Sequence, residues 1–83
     1  MNNLDYLKVY NYNYDYETAK IIVVVNDFMK DKEEFDTWNF EDICKLAIEI
    51  RQAWDDTPLE EMTEEENAYS QVFAQHYLEQ KEF

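Results

Sequence analysis

Residues 16–30 read YETAKIIVVVNDFMK, and whether this stretch is strand or helix decides the fold. At its centre Ile21, Ile22, Val23, Val24 and Val25 are β-branched in succession, and their stiff χ1 angles suit a pleated surface better than a helix interior. Upstream the chain alternates from Leu4 to Tyr16, with Tyr10, Tyr12, Tyr14 and Tyr16 on one parity and Val9, Asn11, Asn13 and Asp15 on the other. A period of two is a strand signature. Together the two stretches predict a β-hairpin over residues 4–26. The alternative is a helix from Tyr16 to Lys30, because Ile21, Val24, Val25, Phe28 and Met29 also fall at helical spacing and Asp15 stands where an N-cap belongs.

Downstream, the charged run from Asp27 to Asp36 reads as an exposed loop or frayed turn, with Phe35 and Trp38 forming a short third strand or pinning the loop to the core. Asn39 then offers an N-cap, and Glu41 and Asp42 complement the positive end of a helix dipole. Phe40, Ile43, Leu46, Ala47, Ile50 and Trp54 recur at three and four residues, an apolar stripe expected to bury against the sheet. This helix is expected to stop near Asp55, and Pro58 blocks any continuation. Thr63 and Glu66 have the spacing of a capping box, which predicts one last helix with Ala68, Tyr69, Val72, Phe73 and Tyr77 as its apolar stripe. The expected fold is α+β: an N-terminal antiparallel hairpin packed against two amphipathic helices, with an all-α three-helix bundle as the alternative.

The chain has 83 residues, enough for one domain near the lower limit of what a core stabilises without disulfides or metals. Hydrophobic residues make up 46% and aromatics 17%, too many for a disordered acidic tail. Twenty Asp and Glu against seven Lys and Arg give a formal net charge of -13, which repels nucleic acid and anionic membranes and favours a basic partner. The longest apolar run, Ile21 to Val25, is far short of the roughly 20 residues that span a bilayer. Glycine is absent, which removes glycine-rich phosphate loops and dinucleotide fingerprints. The lone Cys44 has no partner for an internal disulfide, and the start Met-Asn-Asn lacks a signal-peptide pattern, so a cytoplasmic site is expected.

Few residues suggest chemistry. His76 and the only serine, Ser70, lie six positions apart on one expected helix, which does not build a triad. The acids of residues 26–36 lack the glycine and ligand spacing of a calcium loop. Cys44 has no second thiol for zinc and reads as a buried structural side chain. No enzymatic activity, metal or cofactor is expected. The tyrosine run divides between core packing and partner contact.

The strongest functional signal is a block of one sign. Asp55, Asp56, Glu60, Glu61, Glu64, Glu65 and Glu66 place seven acids within twelve residues, with no basic residue among them. Helix capping accounts for Glu64 to Glu66 but not for the other four. Asp31, Glu33, Glu34 and Asp36 form a second acidic segment. A small acidic domain with these segments, rich in aromatics and lacking glycine and catalytic motifs, resembles the DNA-mimic inhibitors of phages and mobile elements. The resemblance is one of class and carries no signature motif. It implies a stoichiometric inhibitor, monomeric or homodimeric, acting in a bacterial cytoplasm on the nucleic-acid-binding surface of a basic protein such as a CRISPR or restriction nuclease or its effector complex. The acids of both segments would make the contact, without direct nucleic-acid binding. The rival expectation is an antitoxin-like or regulatory protein that neutralises a basic partner without imitating DNA.

Overall fold

A computed structural model describes residues 15–32 and 37–81. Asp15 opens the first helix, α1 (Tyr16–Met29): its carboxylate accepts from the Thr18 amide at 2.9 Å and from the Thr18 hydroxyl at 3.0 Å. Thr18, Ile21, Ile22, Val25 and Met29 are buried along one side, whereas Val23 is 52% exposed. A strand would put Val23 on the same face as Ile21 and Val25; a helix turns it away. The expected α+β fold with a hairpin over residues 4–26 is thus overturned by a helix across residues 16–26, while residues 4–14 lie outside the described residues. Magnitudes explain the outcome. A β-branched residue in a helix costs at most about 0.7 kcal/mol relative to Ala, whereas burying each Ile, Val or Met side chain contributes about 1.5–3 kcal/mol.

The loop expected from Asp27 begins later, because Asp27, Phe28 and Met29 still belong to α1. Glu33, Glu34, Phe35 and Asp36 lie outside the described residues, and no strand occurs among the described ones, so Trp38 forms no third strand. It is half-buried against the core instead.

The second helix, α2 (Phe40–Asp56), starts at Asn39 as expected. The Asp42 amide donates to Asn39 Oδ1 at 3.0 Å and the Asn39 amide donates to Asp42 Oδ2 at 2.9 Å, a reciprocal box. Ile43, Cys44, Leu46, Ala47 and Ile50 are buried, and Phe40 and Trp54 flank them half-buried. This stripe packs against helices, because no sheet is present among the described residues to receive it. The helix ends at extended Thr57, with Pro58 next.

The expected single last helix is two. A 3₁₀ turn (Leu59–Glu61) leads to a short helix, α3 (Glu64–Ala68), opened by the Thr63–Glu66 box. Tyr69 then takes an extended conformation, φ -131° and ψ 111°, and the chain restarts as α4 (Ser70–Gln80). The break resets the stripe: Ala68 and Tyr69 are exposed, and Ser70, Phe73, Ala74 and Leu78 are buried, with Tyr77 half-buried beside them. Ser70 is tolerated in the core because its hydroxyl donates to Glu17 Oε2.

Side-chain bonds give the helix directions. Arg51 near the end of α2 joins Asp15 at the start of α1, with Nη1 3.0 Å from Oδ2, so the two helices are antiparallel. Glu17 and Ser70 join the starts of α1 and α4, and Lys81, just past α4, reaches Glu49 of α2 at 3.4 Å. The three long helices therefore run up, down, up around one core built from Ile21, Ile22, Val25, Ile50, Phe73 and Leu78 with their neighbours. The connection from Thr57 to Tyr69 closes the end where α1 and α4 begin.

Candidate functional site

The acid-rich connection between α2 and α4 is held in shape by its own hydrogen bonds. The Thr57 hydroxyl donates to the Ala53 carbonyl at 2.6 Å, ending α2, and the amides of Glu61 and Met62 donate to the carbonyls of Pro58 and Leu59 at 2.9 and 3.2 Å. The Glu66 amide donates to Thr63 Oγ1 and the Thr63 amide to Glu66 Oε1, both at 3.0 Å. Across the connection, Trp54 Nε1 donates to the Glu66 carbonyl at 2.7 Å. The final carbonyls of any helix lack intrahelical partners, so this indole satisfies one left by α3 and ties it to α2. Arg51 lies over the Trp54 ring at 5.3 Å and fixes its other side.

On this frame Asp55 and Asp56 end α2, Glu60 and Glu61 lie in the 3₁₀ turn, and Glu64, Glu65 and Glu66 form the first turn of α3. All are exposed except Glu66, which is half-buried. The structure therefore brings this acidic segment together on one end of the molecule. Asp31 is separate: it follows α1, whose 14 residues carry it about 21 Å along the helix axis from Asp15 and the acidic connection. Glu33, Glu34 and Asp36 lie outside the described residues.

Of the described cations only Arg51 pairs with an acid of this connection. Lys20 pairs with Glu17 at 3.0 Å, Lys30 with Asp27 at 3.7 Å, Lys45 with Glu41 at 3.2 Å and Lys81 with Glu49 at 3.4 Å, and Lys32 lies over the Phe28 ring at 4.7 Å. Arg51 takes Asp15 and Asp55, the latter at 3.1 Å. Asp56, Glu60, Glu61, Glu64 and Glu65 make no ion pair or side-chain hydrogen bond with another described residue. Their charge is surplus. At Asp56 it is also misplaced for stability, since α2 has no basic residue in its last turn and its dipole is negative there.

Apolar surface accompanies the acids. Leu59 is 65% exposed and Tyr69 59% exposed, and Tyr16 at the start of α1 lies at the same end. Trp54, Pro58, Leu59 and Met62 form the apolar part of a depression of about 330 Å³ that Asp55, Thr57 and Asn67 complete.

Other polar groups have structural work. His76 Nδ1 is 3.4 Å from Glu66 Oε2, but the buried Ser70 hydroxyl is committed to Glu17. The Thr63 amide holds the Glu66 carboxyl below its ordinary range, with His76 assisting. The Ser70 hydroxyl and Lys20 do the same for Glu17, and the Thr18 amide for Asp15. Burial, with Glu41 nearby, pushes the Cys44 thiol up to about 11, consistent with the buried side chain expected from the sequence. Burial and then Glu49, which accepts the Tyr77 hydroxyl at 2.7 Å, raise that phenol to about 12. Among the described residues no cluster of three or more His, Cys, Asp or Glu is arranged to hold a metal, and no helix is long and apolar enough to cross a membrane.

The indole clamp on Glu66 and the Glu17–Ser70 bond are the features that sequence inspection missed. Ser70 had a signal: it begins the spacing completed by Phe73, Ala74, Tyr77 and Leu78, which becomes visible once a serine is admitted to an apolar stripe. Comparison with known proteins finds no matching family model, no matching curated protein and no matching solved structure.

Proposed function

We propose that this chain is an acidic binding protein that neutralises a basic protein partner by covering its cationic surface, in the manner of an antitoxin, without imitating DNA. The observation that carries the proposal is the unpaired part of the acidic connection: Asp56, Glu60, Glu61, Glu64 and Glu65 are displayed on a hydrogen-bonded frame, while the described lysines pair with acids outside the connection or lie over an aromatic ring and Arg51 takes only Asp55 from it. A duplex mimic requires carboxylates extended along a path like a phosphate backbone, and here Asp31 stands apart from the compact group at the end of α2. Exposed Leu59 and Tyr69 among the acids match the anatomy of a protein interface, in which a few apolar or aromatic side chains supply affinity and charges set orientation and association rate. The acids steer a basic partner in, and the neighbouring apolar side chains select it.

The test is affinity capture from a cell lysate, repeated with excess duplex DNA and across a salt series. The expected result is one basic protein recovered in stoichiometric amount, retained against DNA and released by salt. Displacement by DNA would restore the mimic proposal, and recovery of only a random set of basic proteins would refute both.

A further inference from the structure

We infer that the depression beside Leu59 receives one large aliphatic or aromatic side chain from a partner segment that carries Lys or Arg on either side of it. This rests on the proposal that the partner is a basic protein, and it adds the chemistry of the segment recognised. Trp54, Pro58, Leu59 and Met62 give the depression its apolar surface; Asp55, paired with Arg51, stands at its wall, and the unpaired Asp56, Glu60 and Glu61 are sequence neighbours of its lining residues. Its volume of about 330 Å³ is at the floor of the roughly 300–1,000 Å³ typical of small-molecule sites, which suits a side chain delivered by another backbone. The site is preorganised: Trp54 is fixed by its bond to the Glu66 carbonyl and by Arg51 over its ring, while Met62 is an unbranched side chain that adapts to the shape of its guest.

Charge selects the occupant. A second copy of this chain brings the same net charge of -13 to a connection that already carries unpaired acids, and a nucleic acid is likewise anionic. A cationic segment is attracted by the unpaired Glu60 and Glu61 that share the turn with Leu59, and its apolar residue covers Leu59, which is otherwise 65% exposed.

Two synthetic peptides of identical Lys and Arg content, one with a central Leu and one with Ser in its place, provide the test. Each is titrated by fluorescence anisotropy against the full chain and its Leu59→Ser variant, with circular dichroism confirming that both are folded. The full chain is expected to prefer the Leu peptide by about tenfold, the effect of burying most of one Leu side chain. Leu59→Ser is expected to lower that preference to about twofold or less. Equal binding of the two peptides by the full chain would overturn the anchor while leaving the charge proposal standing. If neither peptide binds at physiological ionic strength, the anchor and the charge proposal fall together.

Discussion

Replacing Asp56 by Asn separates what charge does for the fold from what it does for a partner. Asp56 is the last residue of α2, exposed, with no ion pair among the described residues and no basic residue in its turn. An acid at the negative end of a helix dipole costs about 0.3–1 kcal/mol at low ionic strength. Its removal should therefore stabilise the protein by that amount, a rise in Tm of roughly 1–8 °C for a domain of this size. The same substitution should weaken partner binding about two- to fivefold, in keeping with about 0.4–1 kcal/mol for one exposed charge. Both effects are electrostatic. Thermal melts followed by circular dichroism should show the gain at about 10 mM ionic strength, where the screening length is about 30 Å, and lose it at about 1 M, where it is about 3 Å. A variant that melts lower than the parent, or a gain that persists at high salt, would refute the claim that this charge is surplus to the fold.

Trp54→Phe keeps the ring but leaves the Glu66 carbonyl without its indole donor; a loss of about 0.5–1.5 kcal/mol in urea unfolding is expected. Ile50→Ala should cost about 2–5 kcal/mol by the same measurement, because Ile50 is fully buried between the helices. Towards acid pH, Asp15, Glu17 and Glu66 have folded-state pKa values below their ordinary ones, so their stabilisation is present above the ordinary carboxylate range and is lost as pH falls through the folded values. Urea midpoints should fall across that window, and Thr63→Ala should flatten the share owed to Glu66. Towards alkali the sign reverses: the Cys44 thiol ionises near 9.0 when unfolded but near 11 when folded, so its contribution is full below pH 9 and is lost as pH rises towards 11. Cys44→Ala should flatten that alkaline loss, and a thiol reagent should modify the folded protein far more slowly than the unfolded chain.

Local signals with a single physical solution were legible in the sequence. Asn39 before Glu41 and Asp42, and Thr63 three residues before Glu66, are caps that satisfy amides within one turn, and the structure makes both. Pro58 separates α2 from the rest, as its fixed φ requires. The stretch Ile21–Val25 carries the local signature of a strand yet forms a helix, because β-branching is a property of single residues, whereas burial is decided by neighbours distant in sequence. Once α2 and α4 lie on either side, Ile21, Ile22, Val25 and Met29 gain more from one shared face than their torsions cost. The interruption at Tyr69 was invisible for a similar reason: nothing local marks it, and it follows from seating Ser70 and Phe73 in the core. The acidic connection was legible as charge, but the bonds from Trp54 and Thr57 that give it shape join residues whose proximity only the fold defines.

The most direct measurement is partner capture by a chain in which Asp55, Asp56, Glu60, Glu61, Glu64 and Glu65 are replaced together by Asn or Gln, with Glu66 retained for its cap. The account predicts a circular dichroism spectrum that still shows the folded helices and loss of the captured basic protein. Undiminished capture by this neutralised chain would contradict it.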